Sequence, residues 1–408
     1  MNTEMRSRSI LAVLLAIAAG GMIAVTQHTA FADGPDAATQ AQQHANKARH
    51  TPSRQDSVGA VFAMTNATAG NEIVVYSRAS DGTLTRLNRS VRTRGLGIGV
   101  DTDTQGPLRL SSDNRFLYAV NPGSDNITVF EVDGTRLKFL QIVEAGDQPL
   151  SLTIFEDLLY VLNGSVAGNG IRGFRIAPDG TLMPLPDSFR ALSSPIAVPG
   201  EVRFSPDGQV ILVPQKTTNI LLTPENAIDA FTIGTDGYAS AMPIRNASFG
   251  LRPFSLAFRD DGKVVVVEAF NAAPNLSAAS SYQLNPDGTM MVVSGSVPNG
   301  QTDTCWVVIT NDGRFAFVAN FGSGTISSYS VALDGTLALL QGSAAFLGEM
   351  SQPVDLSLSA DGEFLYQLLR GTGAVAAFRI KGNGSLTSLG VIAGGLPVAD
   401  GISGLASY

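Results

Sequence analysis

One unit, repeated seven times, limits what this chain can fold into more than any other feature. Residues 310–337, TNDGRFAFVANFGSGTISSYSVALDGTL, hold an Asp-Gly turn, a short apolar run, an Asn-bearing loop, a strand with an aromatic and a second Asp-Gly turn. Approximate copies recur across almost everything after residue 57. Aligning on the aromatic gives Tyr76, Phe130, Phe174, Phe231, Tyr282, Tyr329 and Phe378, spaced 44 to 57 residues apart. Each is followed by a turn glycine, namely Gly82, Gly134, Gly180, Gly237, Gly288, Gly335 and Gly384, and six of the seven gaps are six residues. A period of this length is that of propeller blades, and it overrides the two or three domains that 408 residues would otherwise suggest.

Within a unit the apolar runs are short and rich in Val, Ile, Phe and Tyr, as at 116–120, 158–162, 264–267, 315–319 and 364–369. Asp-Gly pairs ending at Gly208, Gly262, Gly313 and Gly362 bound them, since glycine supplies the positive φ of a tight hairpin. Many runs are apolar on both faces, as in a sheet packed between two neighbours. No stretch after residue 57 sustains a helical apolar period. The first unit lacks its inner strand and the last has a surplus one at 400–408. The fold expected is therefore all-β, a seven-bladed β-propeller of four-stranded antiparallel blades over 58–408, closed by the C-terminal strand completing the first blade.

Residues 1–32 read as a signal peptide, with Arg6 and Arg8 ahead of an apolar run and Ala30, Phe31 and Ala32 before Asp33. Residues 33–57 read as a flexible linker. The expectation is a secreted or periplasmic monomer without a transmembrane domain. Its single cysteine, Cys305, forbids an intramolecular disulfide, so stability must come from burial. A formal net charge of −8 without a basic cluster argues against nucleic acid as a partner.

The segments 199–219, PGEVRFSPDGQVILVPQKTTN, 249–271, FGLRPFSLAFRDDGKVVVVEAFN, and 303–329, DTCWVVITNDGRFAFVANFGSGTISSY, resemble the lactonase-type seven-bladed propeller family. That family includes propeller 6-phosphogluconolactonase and carboxymuconate-cyclising enzymes, and the likeness is to an exported bacterial branch. It implies an enzyme acting on a small lactone or carboxylate-bearing metabolite at the channel mouth, with no cofactor. The family's Pro-Arg-His stretch and Glu fall here on Pro199, Gly200, Glu201 and Lys216, so its Arg, His and Glu are all replaced.

All three histidines, His28, His44 and His50, precede the propeller, which removes histidine general-base catalysis, Ser-His-Asp hydrolysis and His-ligated zinc from it. Glu201, Lys216, Arg252 and Glu268 are the candidate catalytic residues, Glu201 as a base and Lys216 or Arg252 stabilising an enolate or carboxylate. Salt bridges between blades are the competing reading for Glu201, Arg203, Lys216 and Glu268. Loop ends expected to reach the channel mouth also carry Asn66, Asn121, Asn163, Asn271, Asn320, Arg370, Asp303, Cys305, Asp355 and Asp400. Cys305 reads as buried packing and Trp306 as core or an aromatic platform. Residues 101–106, DTDTQG, begin like a calcium loop but put Ser112 where a bidentate Glu belongs. Gly95, Gly97 and Gly99 read as a flexible connection between blades. The alternative to an enzyme is a non-catalytic cell-envelope propeller binding a metabolite, glycan or protein.

Overall fold

The computed structural model describes residues 57–166, 168–217 and 224–408. The signal segment and nearly all of the linker lie outside them. Seven antiparallel sheets follow one another round a ring, and each runs from an inner strand beside its neighbours' inner strands to an outer strand. Blade 6 is the plainest: Thr304–Ile309, Phe315–Asn320, Thr325–Val331 and Leu337–Phe346 pair in order. Blade 5 (Pro253–Phe258 to Met290–Pro298) and blade 7 (Pro353–Leu358 to Leu386–Ala393) repeat it.

Ring closure is as the surplus strand implies. Leu405–Ser407 supplies the inner strand of blade 1, with Val61 opposite Ser407, Phe62 opposite Ala406 and Ala63 opposite Leu405. It is shorter than 400–408, because a 3-10 turn at Val398–Asp400 and Gly401 precede it. Apart from a second 3-10 turn at Phe270–Ala272 the described residues are strands, turns and loops. None of their helices is long and apolar enough to cross a membrane.

The repeated aromatic and glycine answer to blade stacking. All seven aromatics sit on third strands and are buried. At three seams the turn glycine of one blade latches onto a tyrosine on the second strand of the blade before it. Tyr118 donates to the Gly180 carbonyl at 3.0 Å, Tyr160 to Gly237 at 2.8 Å, and Tyr366 to Gly82 at 3.1 Å across the ring closure. At Gly82, with φ of 87°, a Cβ would stand 2.1 Å from the Phe364 ring, so the position needs glycine for both conformation and space.

Polar residues at strand ends cement the blades. Asn71 donates to the Asn121 Oδ1 at 3.0 Å and Asn299 to the Asn320 Oδ1 at 3.0 Å, with all four buried. Asn66, Asn121, Asn163 and Asn320 are buried too, rather than lining the channel mouth. The glycine run from Gly95 to Gly99 is likewise tightly held: Gly97 and Gly99 donate to Ala67 and Asn66 carbonyls at 2.9 and 3.0 Å. A Cβ on Gly97 would lie 2.0 Å from the Asn66 oxygen, so these glycines permit close approach rather than flexibility.

In blade 3 (Pro149–Phe155 to Leu182–Pro184) a further short strand, Arg190–Ala191, splits the outer edge, and the inner strands of two other blades depart from the pattern. The inner strand of blade 4 is split into Val198–Pro199 and Arg203–Phe204, and that of blade 2 shrinks to Leu108–Leu110. Both departures shape the channel.

Candidate functional site

The short inner strand of blade 2 leaves residues 101–106 free to run across the channel. They hydrogen-bond to blades 1, 3, 4, 6 and 7, and reach blade 5 only through an ion pair. Gln105 donates its backbone N–H to the Gly200 carbonyl of blade 4 at 3.0 Å, and its side-chain amide closes a pair with Val307 of blade 6 at 2.9 Å each way. Blade 3 contributes Ser151, which donates to the Gln105 carbonyl at 2.6 Å, and Leu150, whose carbonyl accepts from Thr104 at 2.9 Å. On blade 7 the Asp355 carboxylate accepts from Gly106 at 3.0 Å and, on its other oxygen, from Gly404 of blade 1 at 2.9 Å. Trp306 donates to the Thr104 carbonyl at 3.2 Å and packs against Phe254 with centroids 5.0 Å apart. This segment is a plug, and the channel is divided by it.

Above the plug, where inner strands begin, six opposite charges converge. Lys216 is 2% exposed at the end of the blade 4 second strand. Its ammonium meets the Asp103 carboxylate at 2.6 Å, also donates to the Asp103 backbone carbonyl, and lies 4.4 Å from the Phe254 ring centroid. Arg252, opening blade 5, reaches the same Asp103 oxygen at 3.9 Å. Arg370, ending the second strand of blade 7, is 3.6 Å from Asp101 and donates to Gln352 at 2.9 Å, while its buried Nε has no hydrogen-bond partner. Asp303, opening blade 6, accepts the Cys305 thiol proton at 3.4 Å. Arg252, Asp303 and Gln352 each adopt a left-handed φ of 46° to 58° just before their inner strands. That kink turns these side chains away from the sheet, a conformation stored where a site is built.

The electrostatics follow from burial among neighbouring charges. Asp101 is pushed up to about 6 by burial and then by the negative charge of Asp103, against Arg370 and Lys216. Burial also raises Asp303, with Arg252 opposing it. Burial alone would lower Arg252, but Asp103, Cys305 and Asp303 leave it raised. The Cys305 thiol is driven well up, by burial first and Asp303 second, so it stays protonated and packs.

Of the four residues singled out from sequence, Lys216 and Arg252 therefore meet around Asp103. Glu201 and Glu268 do not join them. Glu201 is fully buried on the other side of the plug: one oxygen accepts from Arg109 at 2.8 Å and Arg203 at 2.7 Å, and the second accepts from the Leu256 N–H at 2.9 Å. This is the inter-blade salt bridge weighed above. Glu268 is fully buried within blade 5, accepting from Gly250 at 2.9 Å, from Ser296 at 2.6 Å and from Ser280, and burial raises its pKa. Asp101, Asp103 and Arg370 were not among the four. The signal that marks Asp101 and Asp103 is the long interval from Tyr76 to Phe130, which leaves room for an insertion ahead of blade 2, whereas Arg370 was expected at the channel mouth. Among the described residues no three of His, Cys, Asp or Glu come together as a metal site.

Comparison with known proteins points in one direction. The model of the family described as "Lactonase, 7-bladed beta-propeller" matches residues 68–191 and 268–353, just over half of the chain. A 6-phosphogluconolactonase of Yersinia enterocolitica is 26% identical over 319 residues, covering 67% of this chain and 93% of that protein. One from Serratia proteamaculans is 24% identical over 319 residues, covering 67% and 94%. Among solved structures, the periplasmic gluconolactonase of Pseudomonas aeruginosa superposes with a TM-score of 0.67 at 18% identity, covering 86% of this chain and 98% of that one, which is a likeness of fold.

Proposed function

From the membership of this chain in the seven-bladed β-propeller lactonase family, we propose that it hydrolyses a small lactone bearing a carboxylate, held in the charged funnel above the plug. The observation that carries this is the convergence of Arg252, Arg370, Asp101 and Asp303 round Asp103 and Lys216, from five different blades or connections, at the face where propeller loops gather. Arg252 and Arg370 are about a quarter exposed and have N–H groups to spare for a carboxylate or a developing oxyanion. Lys216 is too deeply buried to reach substrate and acts as a positioning residue, fixing Asp103 and with it the plug.

Asp303 is the general base. It has no ion pair within 4 Å among the described residues, and burial brings its pKa toward the working range of a base. Water attacks the lactone carbonyl carbon as Asp303 takes its proton, and Arg252 stabilises the oxyanion. The tetrahedral intermediate then collapses with cleavage of the ring C–O bond, and the Asp303 proton passes to the leaving alkoxide. The product is a hydroxy acid. No histidine enters this route. Export by residues 1–32 to the periplasm or medium, and action as a monomer, belong to the same proposal.

A panel of lactones assayed with wild type, Asp303→Asn and Arg252→Gln tests it. Loss of a general base lowers kcat by about 100-fold or more, whereas loss of the clamp raises KM. Turnover unchanged in Asp303→Asn would overturn the assignment. Gly200, Glu201 and Lys216, standing where the resembling enzymes carry Arg, His and Glu, favour a second reading: a binding propeller that holds a carboxylate-bearing partner in the same funnel. Saturable binding of such ligands without turnover of any lactone is its expected result.

A further inference from the structure

The plug leaves a second compartment on its far side, at the hairpin ends of the inner strands, and the proposed hydrolysis does not use it. It is a recess of 260 Å³ lined by inner strands of blades 1, 2, 4, 5, 6 and 7. This is just below the roughly 300–1,000 Å³ usual for ligand pockets, so it suits a small molecule.

The recess presents cations while the balancing anions are hidden behind them. Arg109 and Arg203, 28% and 22% exposed, both grip the same oxygen of Glu201, which is 0% exposed. Asp355 is 2% exposed, with its two oxygens accepting from Gly106 and Gly404 in the plug and in blade 1. Arg109 spends Nε on the Leu152 carbonyl at 3.1 Å and Nη2 on Glu201, and Arg203 spends Nε and Nη2 on Glu201. The Nη1 groups of both have no partner among the described residues. Leaving such donors idle is costly unless solvent or a ligand takes them.

The placement is built rather than incidental. Arg109 lies flat against the plug: a Cβ on Gly106 would stand 2.6 Å from its Nη2, so the glycine keeps the guanidinium in the channel. Burial, and then the adjacent Arg203 charge, lower Arg109 to about 10. Opposite them Ser407 donates to the Ser357 hydroxyl at 2.7 Å. Leu110, Phe258, Ile309 and Leu358 supply apolar walls.

We propose that this recess is a binding site for a small amphiphilic carboxylate, separate from the funnel, with the anion on Arg109 and Arg203 and the apolar body against the hydrophobic walls. Two guanidiniums with free N–H groups form a fork for one carboxylate, and the walls reward a ring or short chain over an inorganic anion.

The test is isothermal titration of the whole chain at low salt with sodium benzoate, with sodium sulfate and neutral benzyl alcohol as comparisons. The expected result is saturable benzoate binding and neither sulfate nor benzyl alcohol matching it. Arg203→Gln and, independently, Ser357→Phe, which fills the recess while leaving the charge network intact, each weaken binding by about tenfold or more. Arg252→Gln in the funnel leaves it unchanged. Absence of saturation overturns the proposal, as does binding that survives Arg203→Gln and Ser357→Phe, falls only in Arg252→Gln, or falls equally in all three.

Discussion

The pair of Lys216 and Asp103 that anchors the plug should respond unequally to removal of its two ends. Both single changes, Lys216→Met and Asp103→Asn, break the same 2.6 Å contact. They leave different residues behind. Lys216→Met leaves Asp103, which is 43% exposed and still has Arg252 at 3.9 Å, so water and a second cation take up its charge. Met keeps most of the apolar stem against Phe254. The cost should be about 1 kcal/mol, in the range of a solvated ion pair. Asp103→Asn leaves an ammonium that is 2% exposed, with Asp101 and Asp303 as only its more distant counter-charges. Asn still tolerates the φ of 51° at this position and can accept a hydrogen bond, so the change isolates the charge. An uncompensated buried charge costs about 3–5 kcal/mol, reduced here toward about 3 by those neighbours. Urea unfolding of both variants measures the difference, expected at about 2 kcal/mol with the m-value unchanged. Equal costs for the two variants, or a larger one for Lys216→Met, would refute the reasoning.

Three further outcomes follow from the packing. Gly82→Ala forces a Cβ to 2.1 Å from Phe364 at a φ of 87°; strain and overpacking together should cost about 2–4 kcal/mol by urea unfolding, against no effect at Gly134, where a Cβ meets nothing within 4 Å, beyond its own φ penalty. Deleting residues 405–408 removes the strand opposite Val61, Phe62 and Ala63 and should give a chain that associates through the open edge, read by light scattering, with a lower Tm. Asp355 is raised by burial from 3.8 to about 6, so the folded state takes up a proton before the unfolded state does, and stability present at pH 5 is lost as pH rises through 6. The full loss, from below pH 3.8 to above 6, is about 3 kcal/mol, of which roughly half falls between pH 5 and pH 7.5; Tm should be higher at pH 5 than at pH 7.5, and Asp355→Asn should flatten that slope.

The fold was legible because the features that specify it are local and repeated. An Asp-Gly turn needs its glycine whatever blade it stands in, and an aromatic, six residues earlier in six of the seven units, is buried on the third strand of every blade. Even ring closure could be read, since a missing strand at one end and a surplus at the other admit one arrangement. What repetition cannot reveal is whether a strand-end polar residue faces the channel or the neighbouring blade. Asn121 and Asn320 look like mouth residues and are buried cement, because partners such as Asn71 and Asn299 lie in a preceding blade.

The site was legible only in part, for a related reason. Lys216 and Arg252 stood out as charges in lead-ins and strand ends, but Asp103, which joins them, lies 113 residues from Lys216 in a stretch resembling a poor calcium loop. Its carboxylates are a sound signal for charge. Plug residues identify themselves only through contacts such as Gln105 with Val307, 202 residues away. The same plug decides how the remaining candidates must be understood. Glu201, in the gap of the split inner strand, and Lys216, near the end of the second strand, stand in one blade, yet residues 101–106 put them in separate compartments, Lys216 holding the plug from above and Glu201 pairing with arginines below. A mechanism that joined them as base and electrophile would have to move the plug, and hydrogen bonds to five other blades oppose that movement. Under the proposed function, chemistry in the funnel falls to the carboxylates and arginines above the plug, and Glu201 serves the stability and charge of the recess beneath it.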